Sequence, residues 1–395
     1  MISPMELQDW RRLLLPRAAA GRAGYFASPA ETTRGNRLEL LNDGREAYPA
    51  MLAAIAAARE TVNLEAYLLR ADAVGLAFGE ALMERARHGV AVRLIFDSIG
   101  SLDLPSSFIQ ALRNAGVQTL EYHPVAPWRP RWAWGRRDHR KILVVDGSVA
   151  FTGGVNISRN YAPKEEGGAG WRDLHVRIEG PAAYDLDRLF RQVWHSQTRR
   201  WFPLVGHPER RPGHALVQVA ANQEFLRRQL IRRALLHAIR HSRRRVVGAI
   251  AYFVPDLRVR RALFGAVKRG VKVDILVPEI CDVPAVAYAS RFYYDVLLRN
   301  GVRLHSWPQT VLHAKAFVVD RLWASIGSYN ITNRSLVSNL EVNVNVLDRV
   351  FASRLEDTIL ADIAASKPLR LDEWRRRPYS ERVLERMSWL LKSWF

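Results

Sequence analysis

His139 and Lys141 stand two residues apart and are followed, after four apolar residues, by Asp146 in the run HRKILVVD. His313, Lys315 and Asp320 repeat the same spacing in HAKAFVVD. Each run leads into a turn of small residues ending in Asn: FTGGVNIS carries Gly153, Gly154 and Asn156, and SIGSYNIT carries Gly327, Ser328 and Asn330. One such run could arise by chance; two with the same trailing element, one in each half of the chain, do not. In a strand, residues two apart share a face, so each run presents an imidazole beside an ammonium. That pair suits an anionic phosphorus centre, where Lys supplies charge and His serves as nucleophile or proton carrier. A lone copy could equally decorate an exposed strand edge. The matched pair argues against that reading.

The two motifs resemble the signature of the phospholipase D superfamily, HxK(x)4D followed by GSxN. Within it the chain is most similar to bacterial cardiolipin synthases that lack N-terminal transmembrane helices. The supporting stretches are AIAAARETVNLEAYLL with Glu65 and Tyr67, AYFVPD from Ala251 to Asp256, LHAKAFVVD, and NRSLVSNLEVNV with Glu341. The resemblance extends from Leu38 onward and implies a covalent phosphohistidine. By the family's usual assignment His139 is the nucleophile and His313 the general acid/base; the symmetry of the sequence does not order them. It further implies that Asp173 and Glu341 orient the imidazoles and that Glu65 stands at the edge of the site. The implied reaction moves a phosphatidyl group from one phosphatidylglycerol to another and releases glycerol. Hydrolysis by a phospholipase D or a nuclease, with water as acceptor, is the alternative. A basic binding module with a relict site is a third reading, against which the intact sets in both halves argue.

The residue types fit such chemistry. A nucleophilic His must start neutral and an acid His protonated, so two different environments are needed for one residue type. Lys141, Lys315, Asn156, Asn330 and Ser328 can hold the non-bridging oxygens of a phosphodiester. Asp173 in GWRDLHVRI and Glu341 in NLEVNV follow their motifs at matched places. Each interrupts apolar alternation, where an isolated acid is costly unless paired. Asp146 and Asp320 read as turn closures after their strands, with Asp146-Gly147 a turn dipeptide. No His/Cys/Asp/Glu cluster has metal-ligand spacing; neither metal nor cofactor is expected.

Positioning these residues calls for an α/β fold of two tandem phospholipase D-like domains. Mainly parallel sheets flanked by helices are expected, related by pseudo-twofold symmetry with one active site between them. Helices are predicted over residues 48–60, 76–88, 224–242 and 257–269, and strands over 61–68, 90–97, 246–253 and 271–278. GVAVRLIFD and GVKVDILVP are visibly alike, and Gly89, Gly116, Gly270 and Gly301 sit where helices end. The expected division is an extension over 1–37, a first domain over 38–203, a Pro/Arg/Gly-rich linker over 204–213, and a second domain over 214–395.

Between Gly116 and His139 the first half carries an insertion absent from the second, PVAPWRPRWAWGRR, with Trp128, Trp132 and Trp134 among Arg129, Arg131, Arg136 and Arg137. Interleaved Trp and Arg suit a lipid interface, although packing on the domain and base stacking give the same composition. FLRRQLIRRALLHAIRHSRRR places Leu226, Leu230, Ala234, Leu235 and Ile239 at helical spacing, with Arg228, Arg232, Arg233, Arg240 and Arg243 to Arg245 on the other faces. It reads as a helix with one buried and one solvated basic face. ERVLERMSWLLKSWF is amphipathic, with Met387, Leu390, Leu391 and Trp394, and reads as a packed terminal helix or an interfacial anchor.

The chain has 395 residues and 59 Lys+Arg against 39 Asp+Glu, a net charge of +20. That predicts an anionic partner, and the 12 Trp favour a membrane surface over nucleic acid. No obligate protein partner is evident. Cys281, the single cysteine, excludes internal disulfides and Cys-based zinc sites. No stretch approaches the ~18–20 apolar residues that span a bilayer, and no secretory signal is visible. The expectation is a peripheral protein on the cytoplasmic face of the membrane that binds anionic phospholipid, phosphatidylglycerol above all.

Overall fold

The computed structural model describes residues 32–129, 131–133, 135–206, 209–222 and 229–391. Most of the N-terminal extension, Trp134, Leu226, Arg228 and Trp394 lie outside them. Its contacts divide the chain into two compact units: Thr33–Val219 with Asn339–Val342, and Ala220–Ser338 with Asn343–Phe395. This differs from the expected division. The stretch read as a linker packs on the first unit, where Gly35 abuts Arg211 and Gly147 abuts the Val205 carbonyl. The change of unit falls instead inside a later strand.

In the first unit the chain runs β1 (Thr32–Asn42), α1 (Asp43–Ala56), β2 (Thr61–Ala66), α2 (Ala73–Arg87), β3 (Ala91–Asp97), α3 (Ser106–Asn114), β4 (Gln118–Tyr122), β5 (Lys141–Val145), β6 (Val149–Gly153), β7 (Leu174–Glu179), α4 (Pro181–Thr198) and β8 (Ala215–Asn222), the last crossing the boundary. The sheet order is β1-β7-β6-β5-β2-β3-β4. The second unit continues with α5 (Leu230–His241), β9 (Arg245–Ile250), α6 (Leu257–Lys268), β10 (Lys272–Ile280), α7 (Pro284–Arg291), α8 (Tyr294–Arg299), β11 (Arg303–Val311), β12 (Lys315–Val319), β13 (Trp323–Gly327), α9 (Asn333–Val337), β14 (Glu341–Leu347), α10 (Arg349–Ala364), β15 (Lys367–Pro368), α11 (Leu371–Arg375) and α12 (Tyr379–Leu390). Its order is β15-β11-β10-β9-β12-β13-β14.

The α/β class is as expected, but the sheets are mixed, not mainly parallel. β2–β3–β4 and β9–β10–β11 pair in parallel, through helical crossovers. The motif strands β5 and β12 join them antiparallel and run straight on into hairpins with β6 and β13. The two-residue reversals at Asp146-Gly147 and Asp320-Arg321 need no crossover helix; all four residues have positive φ, between 48° and 57°.

Both faces of the first sheet are covered, so β2 and nearly all of β3 are buried along their length. Leu64 and Leu94 pack with Ile55, Phe78, Leu82 and Leu112 of α1–α3. Ile95, one residue on, points the other way onto Phe190 and Trp194 of α4. Burying one such Leu or Ile contributes about 1.5–3 kcal/mol, which fixes the register of the strands that carry the site. Helices α2 and α6 begin alike. Asp72 accepts the N–H groups of Val74 and Gly75, and Asp256 those of Arg258 and Val259. They end at Gly89 and Gly270, with φ of 84° and 82°.

Helix α5 departs from the expected amphipathic pattern. It starts at Leu230 and is buried on almost every side, including Arg232, which pairs with Asp256 at 2.6 Å. Its basic exposure narrows to Arg240 and the following Arg243 and Arg244.

Candidate active site

His139 precedes β5 by two residues, and its backbone is clamped on the far side by a short segment from late in the sequence. His139 N–H donates to the Leu340 carbonyl at 3.0 Å, and Leu340 N–H to that of Arg137 at 2.9 Å. The Leu340 side chain joins the core with Ile95, Tyr122 and Trp194. This capture is why Asn339–Val342 belongs to the first unit. It carries Glu341 to the first motif's imidazole: His139 Nδ1 donates to Glu341 Oε2 at 3.0 Å, both groups being buried. Glu341 follows the second motif in sequence, so the acid serving His139 is not the one matched to it by position. Asp173, the acid that follows the first motif, is fully buried. It accepts from Leu174 N–H at 2.7 Å and packs so tightly on Gly154 that a Cβ there would lie 2.1 Å from Oδ1.

A carboxylate on Nδ1 fixes the ring's proton there and leaves Nε2 with its lone pair. Lys141 Nζ, nearly inaccessible, donates to the His139 carbonyl at 2.8 Å and lies 5.0 Å from the centre of the Tyr67 ring. Tyr67 also meets His139 edge to face, with centroids 4.7 Å apart. In the second unit the neighbours of the imidazole differ. Lys315 Nζ donates to His313 Nδ1 at 2.8 Å and also to the His313 carbonyl. An ammonium donating to Nδ1 places the ring's own proton on Nε2. Tyr252 stands at 6.2 Å from His313, again edge to face, with its hydroxyl on Asp282.

The remaining predicted residues are placed as follows. Asp146 accepts from the backbone N–H groups of Arg59, Glu60 and Thr61 at 2.8–3.0 Å. Asp320 does the same for Arg243, Arg244 and Arg245 at 2.8–2.9 Å. Each ties the turn after its motif strand to the start of the adjacent strand. Asn156 spends its amide on the Tyr161 hydroxyl at 2.7 Å. Asn330 is buried, and its Oδ1 has no hydrogen-bond partner among the described residues. Ser328 is fully buried.

Glu65 stands beneath the first motif, not at an exposed edge. It is buried with Asp138 and Arg140, whose Nη1 lies 3.8 Å from Glu65 Oε1. Burial raises the pKa of both acids, and that of Asp138 rises further because Glu65 is beside it; Arg140 opposes the rise. Both shifts favour the protonated form of the acids. Register fixes this trio to one half: β2 aligns Glu65 beside Ile142 as β9 aligns Ala249 beside Ala316, and Leu312 and Ala314 stand where Asp138 and Arg140 flank His139. Asp97 completes the frame by accepting Asp138 N–H at 2.9 Å, its carboxyl pushed up to about 6 by burial despite Arg137 3.8 Å away. Asp97, Asp138, Tyr252 and His175 were missed as site-region residues. The AY dipeptide common to EAYLL and IAYFV signals Tyr252. The others need the fold. His175 lies opposite Gly153, and burial lowers its pKa to about 4.

The insertion before the first motif divides. Trp128 is 85% exposed, Trp132 is exposed but donates its indole N–H to the Val125 carbonyl, and Arg129 pairs with Glu121. Arg137 is buried and donates to Ser98 and the His123 carbonyl, so it belongs to the frame of the site and not to a basic surface.

Comparison with known proteins places this arrangement. The family described as "Cardiolipin synthase, PLD-like domain" matches residues 51–194 and 235–363, one stretch per motif. The chain belongs to that family. It is 35% identical over 366 residues to cardiolipin synthase A of Pseudomonas aeruginosa, covering 91% of this chain and 75% of that protein. It is 34% identical over 357 residues to cardiolipin synthase of Geobacillus thermodenitrificans, covering 89% and 71%. Among solved structures, phosphatidylserine synthase of Haemophilus influenzae shares the fold with a TM-score of 0.69 at 13% identity, covering 91% of this chain and 95% of that one. Polyphosphate kinase of Porphyromonas gingivalis does so at 0.58 and 16%, covering 89% and 52%. Among the described residues no helix is long and apolar enough to cross a membrane, and no group of three or more His, Cys, Asp or Glu is arranged to hold a metal ion.

Proposed function

We propose that the protein is a phosphatidyltransferase that makes cardiolipin from two molecules of phosphatidylglycerol. His139 Nε2 attacks phosphorus, the bond to the glycerol oxygen breaks, and His313, entering the step as imidazolium, gives its Nε2 proton to the departing glycerol and is left as neutral imidazole. His313 then takes the proton of the acceptor hydroxyl, whose oxygen displaces His139 and closes the new phosphodiester. Lys141 and Lys315 hold the non-bridging oxygens by charge, and Asn330 by its side-chain amide N–H groups. The observation that carries the reading is the carboxylate of Glu341 on Nδ1 of His139, which leaves the Nε2 lone pair of that ring for attack on phosphorus. It supports His139 as the neutral nucleophile, and the proton-carrying role falls to His313, the imidazole of the second motif. The cardiolipin synthase relatives support lipid as substrate.

The net charge of +20 supports peripheral attachment to an anionic membrane, on its cytoplasmic face. The test is purified protein with labelled phosphatidylglycerol vesicles, resolved by thin-layer chromatography, with and without chelator. Cardiolipin and free glycerol are expected in both arms. Phosphatidic acid as sole lipid product would assign the protein to hydrolysis.

A further inference from the structure

Helix α12 is turned inside out. Its one fully buried residue is Glu385, whose carboxylate takes Arg377 Nε at 2.9 Å and a second guanidinium N–H. On the same side Trp389 stacks on Phe292 at 4.8 Å and donates to the Tyr293 hydroxyl at 2.9 Å. These contacts fasten the helix by its polar face. The opposite face is apolar and faces solvent: Tyr379, Val383, Met387 and Leu390 follow one another at helical spacing, flanked by Leu384 and Leu391, and all six are exposed. Met387 is 60% and Leu390 70% exposed. An ordinary surface helix buries this stripe and shows its charges.

The charges around the stripe identify what covers it. At 100° per residue, exposed Arg386 lies about 20° outside the apolar arc, Arg382 and Glu381 lie about 60° beyond its two edges, and Glu385 falls on the opposite side. An apolar arc with an arginine at its edge and no acid within it, on a chain of net charge +20, is complementary to the headgroup region of an anionic bilayer. We infer that the outward face of α12 is a docking surface for a membrane rich in anionic phospholipid. This rests on the proposed lipid substrate, since a peripheral enzyme acting on it must reach the bilayer by surface contacts.

Two measurements test it. The variant Met387→Glu with Leu390→Glu should bind phosphatidylglycerol vesicles at least tenfold more weakly. Its thermal midpoint and its turnover on dispersed short-chain phosphatidylglycerol should equal those of the parent. In a second variant, Met387→Cys in a Cys281→Ser background, an environment-sensitive dye at position 387 should shift its emission to the blue on phosphatidylglycerol vesicles and not on phosphatidylcholine. Unchanged vesicle binding with no dye shift overturns the inference. So does a drop in thermal midpoint, which would place the face in the protein interior. A dimer that the double Glu variant dissociates would assign it to a second copy. Vesicle binding by the parent that the double Glu variant loses, in a protein whose parent is inactive on the dispersed substrate, would uphold the docking surface and refute the proposed reaction instead.

Discussion

His139 Nδ1 and Glu341 Oε2 meet at 3.0 Å although 202 positions separate them in sequence. The contact exists because Leu340 is buried in the core of the first unit and its backbone pairs with Arg137 and His139. The acid is thus placed by a hydrophobic anchor next to it. Replacing Glu341 by Gln keeps the shape but removes the charge that stabilises an imidazolium and fixes the tautomer. Turnover should fall about 10³-fold or more, with KM changed little and the fold intact. The check is steady-state kinetics on a dispersed substrate; a fall confined to KM would make Glu341 a binding residue.

The two histidines should fail differently. With His313→Ala, attack can proceed on a good leaving group but resolution is starved of its base, so a phosphorylated enzyme should accumulate. With His139→Ala no covalent species should form. A phosphorus–nitrogen bond to His is lost in acid and survives in alkali, so rapid quench into alkali followed by mass spectrometry is the measurement. An adduct on His313 in the His139→Ala protein would reverse the assignment.

The Glu65–Asp138 pair gives a pH signature. Both carboxyls have pKa values raised by burial above the ordinary 4.5 and 3.8. The folded state therefore binds more protons than the unfolded chain above about pH 4, and this pair's contribution to stability declines as pH rises from there. Glu65→Gln replaces a titrating carboxyl with a permanently neutral amide. It should fold normally and flatten the decline in unfolding free energy between pH 5 and 8 relative to the parent. Glu65→Ala leaves Arg140 buried without its carboxylate and should cost about 3 kcal/mol. Urea titrations across that range read both; an equal pH slope in Glu65→Gln would show that Glu65 does not titrate with a raised pKa in the folded state.

Much of this site was legible because its signals are local. The spacing from His to Lys to Asp is a strand period followed by a turn, so β5 and β12 and their hairpins could be read directly. The helix starts at Asp72 and Asp256 and the stops at Gly89 and Gly270 are likewise short-range. Legibility failed where placement depends on what a residue packs against. Glu65 read as a lone strand acid because its partners, Asp138 and Arg140, reach it only through the β2–β5 pairing. Arg137 read as part of a surface run because sequence shows neither Ser98 nor Asp97 beside it. The parallel sheet was over-extended because alternating strands and helices do not reveal that β5 to β7 turn back as a meander. The order of Glu341 and Asp173 along the chain suggested one acid for each motif in sequence, whereas burial of Leu340 delivers Glu341 to the first.

The motif's aspartates supply the last prediction, because they look catalytic in sequence and act on the backbone in the fold. Asp146 and Asp320 each accept three consecutive N–H groups at the start of the neighbouring strand, from a left-handed turn at φ of 48° and 57°. The geometry is that of a staple: it satisfies donors that no ladder partner reaches and fixes the register of β5 on β2 and of β12 on β9. Hydrogen bonds to a charged acceptor contribute about 1.5–3 kcal/mol each, less where solvent reaches them. Replacing either Asp by Ala should therefore cost roughly 2–4 kcal/mol in unfolding free energy. Asn should cost less, because it retains one acceptor oxygen and tolerates the left-handed turn. At a temperature where the variants remain folded, turnover should stay within a few-fold of the parent. Chemical denaturation and single-turnover rates on the same preparations separate the two effects. A variant of unchanged stability whose turnover falls by orders of magnitude would return the aspartates to the chemistry.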